Sequence, residues 1–185
     1  MENFPKLSVN ILGTNEKHHL EKALTSIFEQ DYPNFEVTYI DNASTDGSEE
    51  YVRQAFPHIK GLAGTDGELV SFLNSDLALE PNYFSECIKA LLADPKIACV
   101  QGKMLRPVKS EDGKYIFDGA GLTINRSRVV KDRGQLEVDN GQYDTPEEVF
   151  AVCGAAPVHR RAALNDIAID GEIIDEDITA FFDDS

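Results

Sequence analysis

An acidic turn after a short apolar run most constrains what this chain can fold into. The apolar run, Phe35 to Ile40, is typical of a buried strand, and small polar residues from Asp41 to Ser48 follow it. A helix-like segment starts at Glu49. The pattern therefore predicts a strand, a tight turn and a helix, with an acidic side chain at the carboxyl end of the strand. Ligands bind at that end of the strands in open α/β sheets.

A second apolar run ends in the same way. Leu69 to Leu73 predicts another buried strand, and Asn74-Ser75-Asp76 follows it directly. Two strand-end aspartates, Asp41 and Asp76, predict one site for a polar ligand together with a metal ion.

The order of the predicted elements is typical of an α/β fold with a mostly parallel sheet flanked by helices. Residues 7–12 predict the first strand and 97–100 a later one. Two helices show core-facing spacing, the second opening at Pro81. Their predicted core residues are Leu20, Ala23, Leu24, Ile27 and Phe28 in the first, and Phe84, Cys87, Ile88, Leu91 and Leu92 in the second.

The character of the sequence changes after Lys103. Residues 103–148 are polar and weakly periodic, as in functional lids and flexible segments, with short strands expected at 115–117 and 122–124. Residues 149–152 predict a strand that returns to the core, followed by a small-residue turn and a short helix from Arg160. We expect a single domain, 1–185, with halves 1–102 and 103–185.

Composition excludes several classes of function. The net charge of −16 argues against nucleic-acid binding, which needs a basic surface, and disfavours electrostatic docking on anionic lipid. The three cysteines include no CxxC pair, which predicts reduced thiols in a cytoplasmic protein. We expect no signal peptide and no membrane-spanning segment.

Short motifs along nearly the whole chain resemble those of the family 2 glycosyltransferases, and they occur in the same order. Within that family the chain is most similar to bacterial rhamnosyltransferase-like members. The motifs lie at residues 8–15, 30–37, 41–47, 73–76, 94–97, 131–134, 141–144, 154–156 with 160–161, and 181–184.

This resemblance implies the nucleotide-diphospho-sugar transferase A-type fold and an inverting transfer of a hexosyl or rhamnosyl group. The donor would be a UDP- or dTDP-sugar and the acceptor hydroxyl would belong to a glycan or a lipid-linked acceptor. The family implies a role in bacterial polysaccharide or cell-surface glycan synthesis, in the cytoplasm or in peripheral association with the inner face of the membrane.

The resemblance also assigns roles to residues. Asp41 matches the base-recognising aspartate, and Asp76 matches the ligand of Mg²⁺ or Mn²⁺ in the Asp-x-Asp motif, where Asn74 replaces an aspartate. Asp184 matches the catalytic base, with Asp183 in the position of a glutamate. The remaining donor-binding positions implied are Thr14, Asn15, Asn42 and Asn74.

Structural alternatives stay open for each of these residues. Asp41 could cap its turn, and Asp183-Asp184 could be a solvated pair. The residues from Asn74 to Asp76 could be a turn that leads into a helix and binds no metal. Arg160 and Arg161 could hold phosphate or acceptor or lie on the surface. The pair His18-His19 is expected to be solvated at the start of the first helix, with the four histidines forming no ligand set.

The sequence also departs from the family. Relatives have a further strand and a donor-lining segment where only residues 57–67 intervene here, and they continue past the acidic pair, so we expect a truncated acceptor-side half. A catalytically inert sugar-nucleotide-binding or scaffold module is therefore the main alternative. A nucleotidyltransferase is disfavoured because residues 11–17 contain only Gly13, and a dehydrogenase because no GxGxxG follows the first strand.

Overall fold

The computed structural model describes residues 4–59 and 65–173. These residues form two compact units, one made of 4–59, 65–100 and 154–173 and the other of 101–153. The chain thus leaves the first unit and returns to it. The expected single domain with halves 1–102 and 103–185 stays a prediction.

Strands and helices alternate in the first hundred residues, as predicted. In chain order the elements are β1 Leu7–Gly13, α1 Lys17–Phe28, β2 Phe35–Asp41, α2 Ser48–Ala55, β3 Leu69–Asn74, α3 Tyr83–Ala93, β4 Cys99–Val100, β5 Met104–Lys109, β6 Tyr115–Gly119, β7 Leu122–Ile124, β8 Val130–Asp132, β9 Val158–Arg160 and α4 Arg161–Ile167.

A five-stranded sheet forms the centre of the first unit, in the order β2-β1-β3-β9-β4. Strand β1 pairs in parallel with β2 and β3, whereas β9 is antiparallel to both β3 and β4. Six of the seven residues of β1 are buried, as expected for a central strand covered on both faces. The predicted α/β fold with a mostly parallel sheet is confirmed.

The helices bury the faces that their spacing predicted, with two exceptions. The buried residues are Leu20, Ala23, Leu24 and Ile27 in α1, and Phe84, Cys87, Ile88 and Leu91 in α3. Phe28 and Leu92 are 42% and 53% exposed. Both lie eight positions after the first residue of the stripe, about 80° around the helix from it, so they fall at the margin of the buried face. Phe28 instead stacks on Phe56 with the ring centroids 5.8 Å apart.

Two sequence predictions are wrong: the residue at which α3 begins, and the residues that return to the sheet as a strand. Helix α3 begins at Tyr83 and not at Pro81, whose carbonyl accepts a hydrogen bond from the Asp31 N–H at 2.9 Å. Within the described residues, 149–152 form no strand but a single bridge between Ala151 and Leu122. The strand that returns to the sheet is β9. Its Val158 is fully buried, whereas Phe150 of the predicted strand is 55% exposed.

The second unit consists of two antiparallel hairpins, β5–β6 and β7–β8. The strands expected at 115–117 and 122–124 are present, each with a partner strand that periodicity did not indicate. Phe117 is fully buried and packs edge-on against Tyr143 at 5.1 Å. The Arg133 guanidinium lies 4.2 Å from the centre of the Tyr143 ring, and a Cβ on Gly134 would collide with that ring. Motifs 131–134 and 141–144 therefore pack against each other.

None of the helices in the described residues is long and apolar enough to span a bilayer.

Candidate nucleotide-sugar site

Three strand ends meet at one edge of the central sheet. In the parallel pairing of β1 with β2, Gly13 lies opposite Asp41, and in the pairing with β3, Leu12 lies opposite Asn74. The chain leaves β1 toward β2 on one side, while β3 lies on the other side. The carboxyl end of β1 is therefore a topological switch point, where open α/β sheets bind their ligands.

Asp41 is half-buried, and hydrogen bonds hold both of its carboxylate oxygens. The Ser44 N–H donates to Oδ2 at 2.9 Å, and the Tyr39 hydroxyl donates to Oδ1 at 3.2 Å. Hydrogen bonding from Ser44 is the main cause that lowers the pKa of Asp41. The carboxylate is thus ionised, and a carboxylate has lone pairs left to accept N–H groups from a ligand.

The turns after β1 and β2 are tied together by side chains. The Asn15 N–H donates to the Ser44 hydroxyl at 2.9 Å, and the Asn15 side-chain oxygen accepts the Thr45 N–H at 2.8 Å. The Asn42 N–H donates to the Gly13 carbonyl at 3.0 Å. Thr14 is exposed beside them. Three of the predicted donor-binding residues, Thr14, Asn15 and Asn42, therefore lie in two turns that form one connected structure.

The same turns hold two non-glycine residues in left-handed backbone conformation. The φ angle is 58° at Asn15 and 54° at Ala43. Asparagine tolerates this region, but alanine adopts it only at a cost, and such residues concentrate at functional sites.

At the end of β3, Asn74 and Asp76 are exposed and Ser75 between them is buried. The Asn74 N–H donates to the Ala155 carbonyl at 3.1 Å, so the predicted small-residue turn at 154–156 lies against this strand end. Oxygen donors of this kind suit Mg²⁺ and Mn²⁺, and Mg²⁺ is commonly held by one or two carboxylates plus phosphates. One accessible carboxylate at Asp76 fits that requirement.

Both candidate phosphate-binding arginines are engaged by backbone carbonyls. Arg160 donates to the carbonyls of Leu91, Asp94 and Ile97 around the end of α3. Arg161 donates to the Gly67 carbonyl and to the Thr65 hydroxyl. These contacts favour the structural alternative for both side chains.

The acidic pair near the end of the chain and the pair His18-His19 complete the residues singled out in the sequence. Asp183 and Asp184 lie outside the described residues. Glu16, His18 and His19 each offer a ligand atom within 4.8 Å of the others, a grouping that the expectation of a solvated His18-His19 pair did not include.

Sequence reasoning missed three residues of the site: Gly13, Tyr39 and Ser75. A Cβ on Gly13 would lie 2.9 Å from the Tyr39 hydroxyl and 3.4 Å from the Ser75 hydroxyl. The alternation of β2 could have pointed to Tyr39, since residues two apart in a strand share a face and Asp41 is two residues later.

The fold is similar to the A-type fold of nucleotide-diphospho-sugar transferases. The mannosyltransferase PcManGT from Pyrobaculum calidifontis, solved in complex with GDP-Man and Mn²⁺, is 21% identical and aligns with 97% of this chain and 50% of that one, at a TM-score of 0.58. TarS 1-349 from S. aureus is 19% identical and aligns with 87% of this chain and 48% of that one, at a TM-score of 0.51. This chain spans about half the length of both structures.

The sequence comparison points to the family that the motifs predicted. Residues 8–62 match the model of glycosyl transferase family 2. The match covers β1, α1, β2 and α2 with both turns of the candidate site, and it ends within the short segment 57–67. No curated protein sequence matches the chain.

Proposed function

We propose that this chain is the metal-dependent, inverting glycosyltransferase domain of a protein that moves a sugar from a nucleotide diphosphate to an acceptor hydroxyl. The observation that carries the proposal is that Asp41 ends β2 and Asp76 follows the end of β3, the two strands that flank β1, at the switch point of a chain whose residues 8–62 match glycosyl transferase family 2.

Donor binding is assigned to the turns after β1 and β2. Asp41 accepts an N–H from a uracil- or thymine-like ring, because its carboxylate is ionised and fixed by Ser44 and Tyr39. Thr14, Asn15 and Asn42 border the same space with exposed side chains. The GDP-Man bound to the mannosyltransferase of similar fold supports a nucleotide-sugar donor.

Asp76, with the amide oxygen of Asn74 beside it, would hold Mg²⁺ or Mn²⁺. When bound, the ion neutralises charge on the departing diphosphate. The Mn²⁺ in the mannosyltransferase structure supports this assignment.

The transfer itself needs a base for the acceptor. Asp184 takes the proton of the acceptor hydroxyl as its oxygen attacks the anomeric carbon, with Asp183 next to it. The bond to the diphosphate breaks through an oxocarbenium-like transition state, and attack from the opposite face inverts the configuration. We assign a hexosyl or rhamnosyl group, a glycan or lipid-linked acceptor, and a role in polysaccharide synthesis at the cytoplasmic face of the membrane.

The second candidate is a sugar-nucleotide-binding module without turnover. Two observations favour it: only residues 56–68 connect α2 to β3, and the neutral Asn74 stands where relatives carry a metal-binding carboxylate. In that case the site binds nucleotide and the metal but transfers nothing.

Two measurements separate these functions. Calorimetry with UDP and dTDP, with Mn²⁺ and then with EDTA, measures binding, and a sugar-transfer assay with the full-length protein measures turnover. Binding with turnover supports the transferase, binding alone supports the module, and no binding of any nucleotide rules out both. Thermal stabilisation by a panel of sugar nucleotides then identifies the donor.

A further inference from the structure

We infer that Tyr39 is a positioning residue that orients the base-binding carboxylate of Asp41, and that Gly13 is glycine in order to leave room for it. This inference rests on the proposed function, since it concerns how the donor's base is recognised. It assigns a role to two residues that do not themselves contact the base.

Tyr39 is placed by strand geometry. It lies in β2 two residues before Asp41, so both side chains project from the same face of the sheet. Only 7% of Tyr39 is exposed, and its hydroxyl donates to Asp41 Oδ1 at 3.2 Å. Burial and the Asp41 charge raise the pKa of Tyr39 to about 12, so the phenol keeps its proton and remains a donor at every physiological pH.

Gly13 supplies the space that the tyrosine occupies. It lies opposite Asp41 in the pairing of β1 with β2, and a Cβ there would come within 2.9 Å of the Tyr39 hydroxyl and 3.2 Å of its ring. Its backbone is outside the left-handed region that favours glycine. The requirement for glycine at this position is therefore one of space, and not of backbone conformation.

The two hydrogen bonds on Asp41 fix the plane of its carboxylate. The Ser44 N–H holds Oδ2 and Tyr39 holds Oδ1, so the free lone pairs keep one direction. Without the tyrosine hydroxyl, the carboxylate rotates about its last bond and binds a directional N–H donor less well.

Tyr32 provides a matched control. It is 4% exposed, its hydroxyl donates to the Pro5 carbonyl, and burial raises its pKa to about 12 as well. Pro5 precedes β1, at the amino end of that strand and away from the candidate site. Tyr32→Phe thus removes a comparable buried hydrogen bond that has no connection with Asp41.

The first experiment measures affinity for UDP and for inorganic pyrophosphate, both with Mn²⁺, by calorimetry on the full chain. Tyr39→Phe should weaken UDP binding about fivefold to tenfold and leave pyrophosphate binding unchanged, because pyrophosphate has no base. Tyr32→Phe should change neither affinity, although both variants should lose similar thermal stability. Equal UDP affinity in the two variants, or an equal loss for UDP and pyrophosphate in Tyr39→Phe, would overturn the inference.

The second experiment tests the contact with Gly13. Gly13→Ala should weaken UDP binding in the unaltered background but have a smaller effect in the Tyr39→Phe background, because removal of the hydroxyl makes room for the new methyl group. Additive effects of the two substitutions would contradict the role of Gly13. If the unaltered chain binds neither UDP nor dTDP, the proposed function fails and the inference with it; if it binds but Tyr39→Phe behaves as Tyr32→Phe, only the inference fails.

Discussion

The Asp46 carboxylate accepts the backbone N–H of Lys17, the first residue of α1, at 3.0 Å. Its other oxygen accepts the N–H of Ser48, the first residue of α2, also at 3.0 Å. One side chain therefore satisfies an unpaired N–H at the start of two helices, and its negative charge is favourable at both ends. This link, together with the bonds between Asn15, Ser44 and Thr45, holds the two turns of the candidate site in a fixed relation.

The first prediction concerns this link. Asp46→Ala should lower the melting temperature by a few degrees, since loss of a helix cap is destabilising and here two helices share one carboxylate. Hydrogen bonding, chiefly from Ser48, lowers the pKa of Asp46, so its contribution is present above pH 4 and is lost at lower pH. Thermal melts at pH 7 and pH 3 should differ less in the variant than in the unaltered chain. Glu50→Ala, an exposed residue of α2, is the control.

The second prediction concerns the metal. Asp76→Ala should abolish the part of UDP affinity that depends on Mn²⁺, because it removes the carboxylate assigned to the ion. Calorimetry with Mn²⁺ and with EDTA should then give the same affinity. Asp166→Ala, an exposed aspartate of α4, should keep the difference between the two conditions. A metal-dependent affinity that survives Asp76→Ala would refute the assignment.

The third prediction concerns the base. Asp184→Asn in the full-length protein should leave donor binding unchanged and reduce transfer by at least about 100-fold, the lower range for loss of a general base. Donor affinity and single-turnover transfer should be measured on the same preparation. A transfer rate near that of the unaltered protein means that another group takes the proton.

The fourth prediction separates a structural arginine from a phosphate-binding one. Arg160→Gln should destabilise the fold by about 2 kcal/mol, since it removes a cation that donates to carbonyls at the end of α3. Urea unfolding measures this loss. UDP affinity should not change, and a drop in affinity without a loss of stability would support the phosphate role instead. Arg126→Gln, at an exposed position, is the control for removal of a positive charge.

The fifth prediction concerns alkaline pH. Burial raises the pKa of both Tyr32 and Tyr39 from 10 to about 12, so the folded chain keeps protons that the unfolded chain releases near pH 10. Their contribution to stability is complete below pH 10 and is lost as the pH rises to 12. Urea unfolding at pH 9, 10.5 and 11.5 should show a shallower decline for the double variant Tyr32→Phe/Tyr39→Phe than for the unaltered chain. Parallel declines would contradict it.

Much of the first hundred residues could be predicted because the signals there are local. The spacing of Leu20, Ala23, Leu24 and Ile27 defines a helix face, and the apolar run before Asp41 defines a strand. Strand β9 could not be found in this way, because it has only three residues. It is a strand because it lies between β3 and β4 in the sheet, where Val158 is buried. The run at 149–152 has the better local pattern, but its Phe150 remains exposed.

The sequence by itself determined the helix and strand alternation, the short motifs and the acidic strand ends, because these depend on residues close together in the chain. Only the tertiary structure decided that Asp46 serves two helices, that Tyr39 holds Asp41 over Gly13, and that Arg160 is engaged at the end of α3. The contacts of Asp46 with α1, of Tyr39 with Gly13 and of Arg160 with the end of α3 join different elements or turns of the fold. Their partners are set by strand order and register, which the packing of the whole sheet fixes and no local pattern contains.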